Sequence, residues 1–286
     1  MQPSEEIDYY SSLPQPEARP VLSPVGPNNP PWGIWEGLGV WVTSILFILI
    51  VPTLFLLPYL ATIKPSITDN EHLVEFAKTD PTAIFLQILA ILPAHILTVL
   101  VAWLVVTRFR KFSFRKTLGW ESGGFKWWYY IVILVTFFFV AAVVATYFPE
   151  KENDVIRMLQ SSRSVVYIMA FIATFTAPFV EEVVYRGVLY SAFQRTLGVT
   201  AAFLLTTFLF ALVHVPQYWP SYSTIFLLAL LSLTLTSIRV KTSNLLPCIV
   251  LHTLFNGTQS ALLILEPYIT KPDVQQQTAS LYHFLK

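Results

Sequence analysis

Seven long apolar stretches follow one another along this chain, each near the roughly 20 residues that a bilayer-crossing helix requires. They run Trp35–Leu60, Thr82–Thr107 and Trp127–Phe148, then from about Val165 past Pro178 to about Arg195, then Gly198–Val215, Tyr222–Val240 and Asn244–Leu265. Pro52 and Pro58 fall inside the first, where a membrane helix tolerates them as kinks. Pro216 and Pro220 are expected to stop the fifth, and Pro267 the seventh. Trp127, Trp128, Tyr129 and Tyr130 open the third with an interfacial aromatic cluster. The pattern predicts an all-α, polytopic membrane helix bundle of about seven transmembrane helices, or eight if one has been missed. Residues 1–33 are rich in proline and read as an extended, solvated tail. Residues 34–265 read as the transmembrane domain, and 266–286 as a polar C-terminal tail.

Composition sharpens this. Of 286 residues, 55% are apolar and 12% charged, about half the charge that a soluble domain uses to cover its surface. A net charge of +1 gives no basic field for nucleic acid, and Cys248 alone cannot form an internal disulfide. The densest basic group, Arg108, Arg110, Lys111, Arg115 and Lys116, lies between the second and third helices. Basic loops stay cytoplasmic, so the N-terminus is expected inside and, after an odd number of crossings, the C-terminus outside. The expected setting is the cell membrane.

Against this apolar background a few ionisable groups are out of place, each costing about 2.5–3.5 kcal/mol at the centre of a span. The fourth stretch contains Glu181, Glu182 and Arg186; the fifth ends at His214; the seventh contains His252 and Asn256. Glu182 and Arg186 are four apart, in the favourable order for an ion pair along one helix face. Glu181 points about 100° away and is left available. With a turn near Leu197–Gly198, Glu181 precedes it by about as many residues as His214 follows it, so both lie at one level, about 25 Å from the turn. His252 and Asn256 emerge from one face of their helix. His95 stands alone in the second stretch after Pro93 and reads as structural.

Glu181 with His214 can hold and deprotonate a water, while His252 and Asn256 can donate to an oxyanion, which is the equipment for amide hydrolysis. Two imidazoles and a carboxylate, His214, His252 and Glu181, can also bind zinc with an open fourth position. The sequence leaves open whether a zinc ion or the side chains alone hold the water. It also leaves a proton-coupled transporter with Glu181 as relay as a weaker alternative.

The motifs Glu181-Glu182-x-x-x-Arg186, Phe210-x-x-x-His214 and His252-x-x-x-Asn256, in this order on successive membrane helices, resemble the CAAX-protease and bacteriocin-processing family of intramembrane endopeptidases. The resemblance covers about residues 165–260. It implies a helical membrane fold with a cavity open to the cytosol and the adjoining leaflet. It further implies a water positioned by Glu181 and His214, an oxyanion site of His252 and Asn256, and an accessory pair, Glu182 and Arg186. The implied partners are the lipid bilayer and a peptide or lipidated protein substrate; nothing identifies prenyl recognition or an oligomeric state. A non-catalytic chaperone or immunity protein of the same fold is the alternative.

Overall fold

The computed structural model describes residues 24–63 and 70–269. Among these there is no strand, and seven helices are long and apolar enough to cross a membrane: Ile34–Ile63, Pro81–Thr107, Trp127–Tyr147, Arg163–Leu197, Val199–Tyr218, Tyr222–Thr242 and Leu246–Tyr268. This is an integral, multi-pass, all-α bundle. Large apolar side chains such as Leu49, Val135, Phe139 and Phe208 point outwards, as the hydrocarbon-facing surface of such a bundle requires.

Two prolines do not act as the sequence suggests. Pro216 and Pro267 lie inside their helices, which run on to Tyr218 and Ile269. Each proline loses one backbone bond, and packed neighbours in a bundle tolerate that loss. The second span is broken at Ala90 into Pro81–Leu89 and Ile91–Thr107, and Pro93, which lacks the N–H that would reach Leu89, accounts for the break. Asp80 caps the first half by accepting from the Ala83 N–H at 2.8 Å. Between the third and fourth spans lies a short helix, Asp154–Ser161, that the apolar pattern did not reveal. Asn153 caps it, and it buries Val155, Ile156 and Leu159. Tyr218, Leu263 and Met169 pack against this face.

The fourth span is the axis of the fold. It is continuous from Arg163 to Leu197 but widens twice into π-helical turns, at Ile172–Thr176 and Val183–Leu189. The first precedes Pro178, whose ring would clash with the carbonyl four residues back in a regular helix. The second contains Gly187, where a Cβ would come within 3.2 Å of Leu118 and 3.3 Å of Leu245, so only glycine admits both neighbours without a shift. Every residue from 182 to 193 is buried, and the main core gathers round Val183, Val188, Leu189, Phe193 and Phe210.

The described part of the proline-rich segment is not a solvated tail. Trp32 is 1% exposed and donates its indole N–H to the Val188 carbonyl at 3.0 Å. The Pro27 carbonyl accepts from Ser191 (2.8 Å) and Arg239 (2.7 Å), and the Pro30 carbonyl from Arg195 (2.5 Å). Arg108 donates to the Pro31 carbonyl and to Glu36. Proline lacks a backbone N–H yet keeps its carbonyl, so this strap is a row of acceptors, and arginines from the second, fourth and sixth spans supply the donors. The expected boundary at 33 therefore divides a segment that is packed from Pro27 onwards. At the other end, residues 266–269 continue the seventh helix; residues 1–23 and 270–286 of the expected tails lie outside the described residues.

Candidate active site

Glu182 and Arg186 form the expected ion pair, Nη1 to Oε1 at 2.8 Å, with both side chains fully buried. Charges removed from water need every hydrogen bond they can make. Arg186 obtains them from Ser232 Oγ (2.6 Å), the Ser232 carbonyl (3.2 Å) and Thr236 Oγ1 (3.3 Å), all on the sixth span. Its guanidinium also lies over the Phe210 ring, 4.6 Å from the centroid.

The pair does more than brace its helix. Glu182 Oε1 also meets His252 Nδ1 at 2.8 Å, joining the fourth span to the seventh. The other nitrogen of that ring, Nε2, is 3.8 Å from Glu181 Oε2. His252 is thus held between two adjacent carboxylates, one buried and one about a quarter exposed. With Nδ1–H donated to Glu182, Nε2 is an acceptor in the neutral ring and a donor only when the ring carries both protons.

His214 lies one turn beyond Phe210 on the fifth span. Its Nδ1 is 2.6 Å from the Phe210 carbonyl, which fixes the proton on Nδ1 and leaves Nε2 as an acceptor. Phe210 links the two imidazoles, with centroids 4.7 Å from His214 and 6.1 Å from His252, and is itself 5.1 Å from the Tyr185 ring. Since Tyr185 and Arg186 lie level with Phe210, His214 one turn on falls at the level of Glu181 and Glu182, as the residue count from the turn required. Tyr185, placed four after Glu181, accepts at its hydroxyl from the Trp41 indole N–H at 3.1 Å and keeps its own proton to donate.

Asn256 donates through Nδ2 to the Ala173 carbonyl at 2.9 Å, in the first π-helical turn, and keeps one amide N–H. The second turn is met in the same way, Arg186 O by Arg239 Nε at 3.3 Å and Val188 O by Trp32. Side chains from three other parts of the chain thus donate to carbonyls of the two wide turns.

Sequence reasoning set His95 aside. It is 9% exposed, and Nδ1 is 2.9 Å from Thr176 Oγ1, on the fourth span five residues before Glu181. A lone imidazole midway along an apolar helix was the signal that marked it.

Among the described residues no three His, Cys, Asp or Glu side chains come together to hold a metal. His252 donates Nδ1–H to Glu182 and His214 donates Nδ1–H to a backbone carbonyl, which leaves both Nε2 atoms as acceptors, for a water or for a metal ion. On the side of Glu181 towards the basic end, residues 182–193 of the fourth span are buried, where the strap and Trp32 pack.

A sequence model of the family described as type II CAAX prenyl endopeptidase Rce1-like matches residues 163–258, the stretch that carries all four candidate catalytic residues. No curated protein and no solved structure matches the chain.

Proposed function

We propose that this chain, a member of the CAAX-protease and bacteriocin-processing family through residues 163–258, is an intramembrane endopeptidase that hydrolyses a peptide bond of a membrane-associated substrate. The observation that carries the reading is the convergence on one imidazole of two neighbouring carboxylates, Glu181 and Glu182, from a helix 70 residues away in sequence. Such an arrangement is costly in an apolar bundle and matches the needs of proton transfer.

In this reading Glu181 takes a proton from a water that His214 Nε2 helps to orient, and the water oxygen attacks the scissile carbonyl. The oxyanion of the tetrahedral intermediate is met by His252 Nε2–H and the remaining N–H of Asn256. For this, His252 must hold both ring protons, and Glu182 balances that charge. Glu181 then returns its proton to the leaving nitrogen as the carbon–nitrogen bond breaks. The expected substrate is a peptide presented within or beside the bilayer, of the lipidated CAAX type or an unmodified one.

The test is cleavage by purified protein in detergent or liposomes, with peptides bearing or lacking a prenylated cysteine. Glu181→Gln is expected to lower kcat by about 10²- to 10⁴-fold. Wild-type protein inert on every peptide returns the chain to the non-catalytic chaperone or immunity reading, whereas a Glu181→Gln variant as active as wild type removes Glu181 as the base. Zinc is measured on the same active preparation. Because the side chains alone hold the water in this reading, activity is expected to survive chelation; one zinc per chain that tracks activity would replace it.

A further inference from the structure

We propose that His95, on the second span, is a positioning residue for Glu181. Thr176 has a single hydroxyl proton, and its Oγ1 lies 3.3 Å from the Ile172 carbonyl in the geometry of a donor. With that proton committed, Thr176 Oγ1 accepts from His95 Nδ1–H at 2.9 Å. The ring is therefore the Nδ1–H tautomer, and Nε2 is an acceptor with no hydrogen-bond partner among the described residues.

The bond is placed where it governs Glu181. Thr176 is the last residue of the first π-helical turn, and Glu181 follows about 7.5 Å further along the axis. The same turn is held from the opposite direction by Asn256 through Ala173 and by Ser260, whose Oγ accepts from Thr174 at 3.0 Å. The wide turn that sets the rotation of Glu181 is thus pinned by the seventh span on one side and by His95 on the other. A histidine needed only to pack would be replaceable by an apolar residue. This one instead brings a polar ring into an apolar span and uses it on the catalytic helix.

The inference rests on the hydrolase reading for its kinetic arm and not for its spectroscopic one. His95→Ala is expected to lower kcat about 10- to 100-fold with KM within about two-fold, since a carboxylate displaced by about an ångström loses transition-state stabilisation and not substrate affinity. His95→Asn, which restores an N–H donor near Nδ1, is expected to recover most of the loss. Nitrogen-15 NMR of histidine-labelled protein is expected to show His95 protonated at Nδ1 and bare at Nε2, with resonances that move in both Thr176→Val and Glu181→Gln. Full activity of His95→Ala beside an inactive Glu181→Gln overturns the assignment while leaving the hydrolase reading in place. An inert wild type removes the hydrolase reading and a fully active Glu181→Gln removes Glu181 as its base; in either case the NMR decides alone, and a protonated Nε2, or resonances blind to both substitutions, overturns the role of His95.

Discussion

Glu182 carries more of the site than its place beside Glu181 suggests. One oxygen, Oε1, accepts from both Arg186 and His252 at 2.8 Å, while Oε2 is buried without a hydrogen-bond partner among the described residues. Removing the carboxylate leaves a fully buried guanidinium without its counter-charge, a change that costs about 3–5 kcal/mol. Glu182→Ala is therefore expected to lose both thermal stability and turnover. Glu182→Gln keeps an acceptor oxygen but not the charge that balances a doubly protonated His252. It is expected to approach wild-type melting more closely than Glu182→Ala while still losing about 10- to 100-fold in kcat. Melting followed by fluorescence in detergent, beside peptide cleavage, checks this, and equal kcat for Glu182→Gln and wild type would reduce Glu182 to a brace. The ion pair itself was legible from the i, i+4 spacing. The bond to His252 was not, because periodicity reports which residues share a face of one helix and says nothing of which faces meet across 70 residues of chain.

The same distinction holds for the elements. All seven spans were visible because about 20 apolar residues have no other stable arrangement in a bilayer, and the level of His214 followed from rise per residue alone. The two π-helical turns were not visible. They add a residue to a turn without changing composition, and the donors that stabilise them come from Asn256, Arg239 and Trp32, all distant in sequence. Pro178 was read as something the helix runs past, whereas the structure accommodates it by widening the turn before it. The strap was misread for a related reason: proline-rich composition signals an extended backbone, and an extended backbone can be solvated or can present its carbonyls to buried arginines. Arg239 is fully buried, and its partners are neutral: the Pro27 and Arg186 carbonyls, Asn28 Oδ1, Ser191 Oγ and the Tyr190 ring. A cation held in this way depends on each acceptor. Trp32→Ala, which opens a cavity and leaves the Val188 carbonyl without its indole donor, is expected to cost about 3–5 kcal/mol. Asn28→Ala is expected to cost about 1–3 kcal/mol. Unfolding of both variants in the same detergent measures the difference, and unchanged melting of Trp32→Ala would mean that the strap rests on the bundle without supporting it.

Across the whole molecule the charges divide by end. The strap, the turn at Gly198 and the Ser243–Leu245 turn meet at one end, as the bond from the Leu245 N–H to the Gly119 carbonyl at 2.7 Å and the Arg108, Arg195 and Arg239 contacts with the strap require. That end also carries Arg110, Lys111, Arg115, Lys116, Lys126 and Lys241, against the acids Glu36 and Glu121. The opposite end carries Glu71, Glu75, Asp80, Glu150, Glu152 and Asp154, with Lys78, Lys151, Arg157 and Arg163 interspersed. Basic residues near span ends are retained on the cytoplasmic side, so the strap end is expected inside. The buried stretch 182–193 then lies between Glu181 and the cytoplasm. Single cysteines introduced at Lys111 and at Glu152, in a Cys248→Ala background, report this directly with a membrane-impermeant maleimide on intact cells. The cysteine at 152 is expected to label without permeabilisation and the one at 111 only after it. Cys248 lies fully buried in the core, so its replacement by a smaller apolar residue leaves the charges at both ends as they are. Labelling in the reverse pattern would invert the bundle and set Glu181 on the cytoplasmic side of that buried layer.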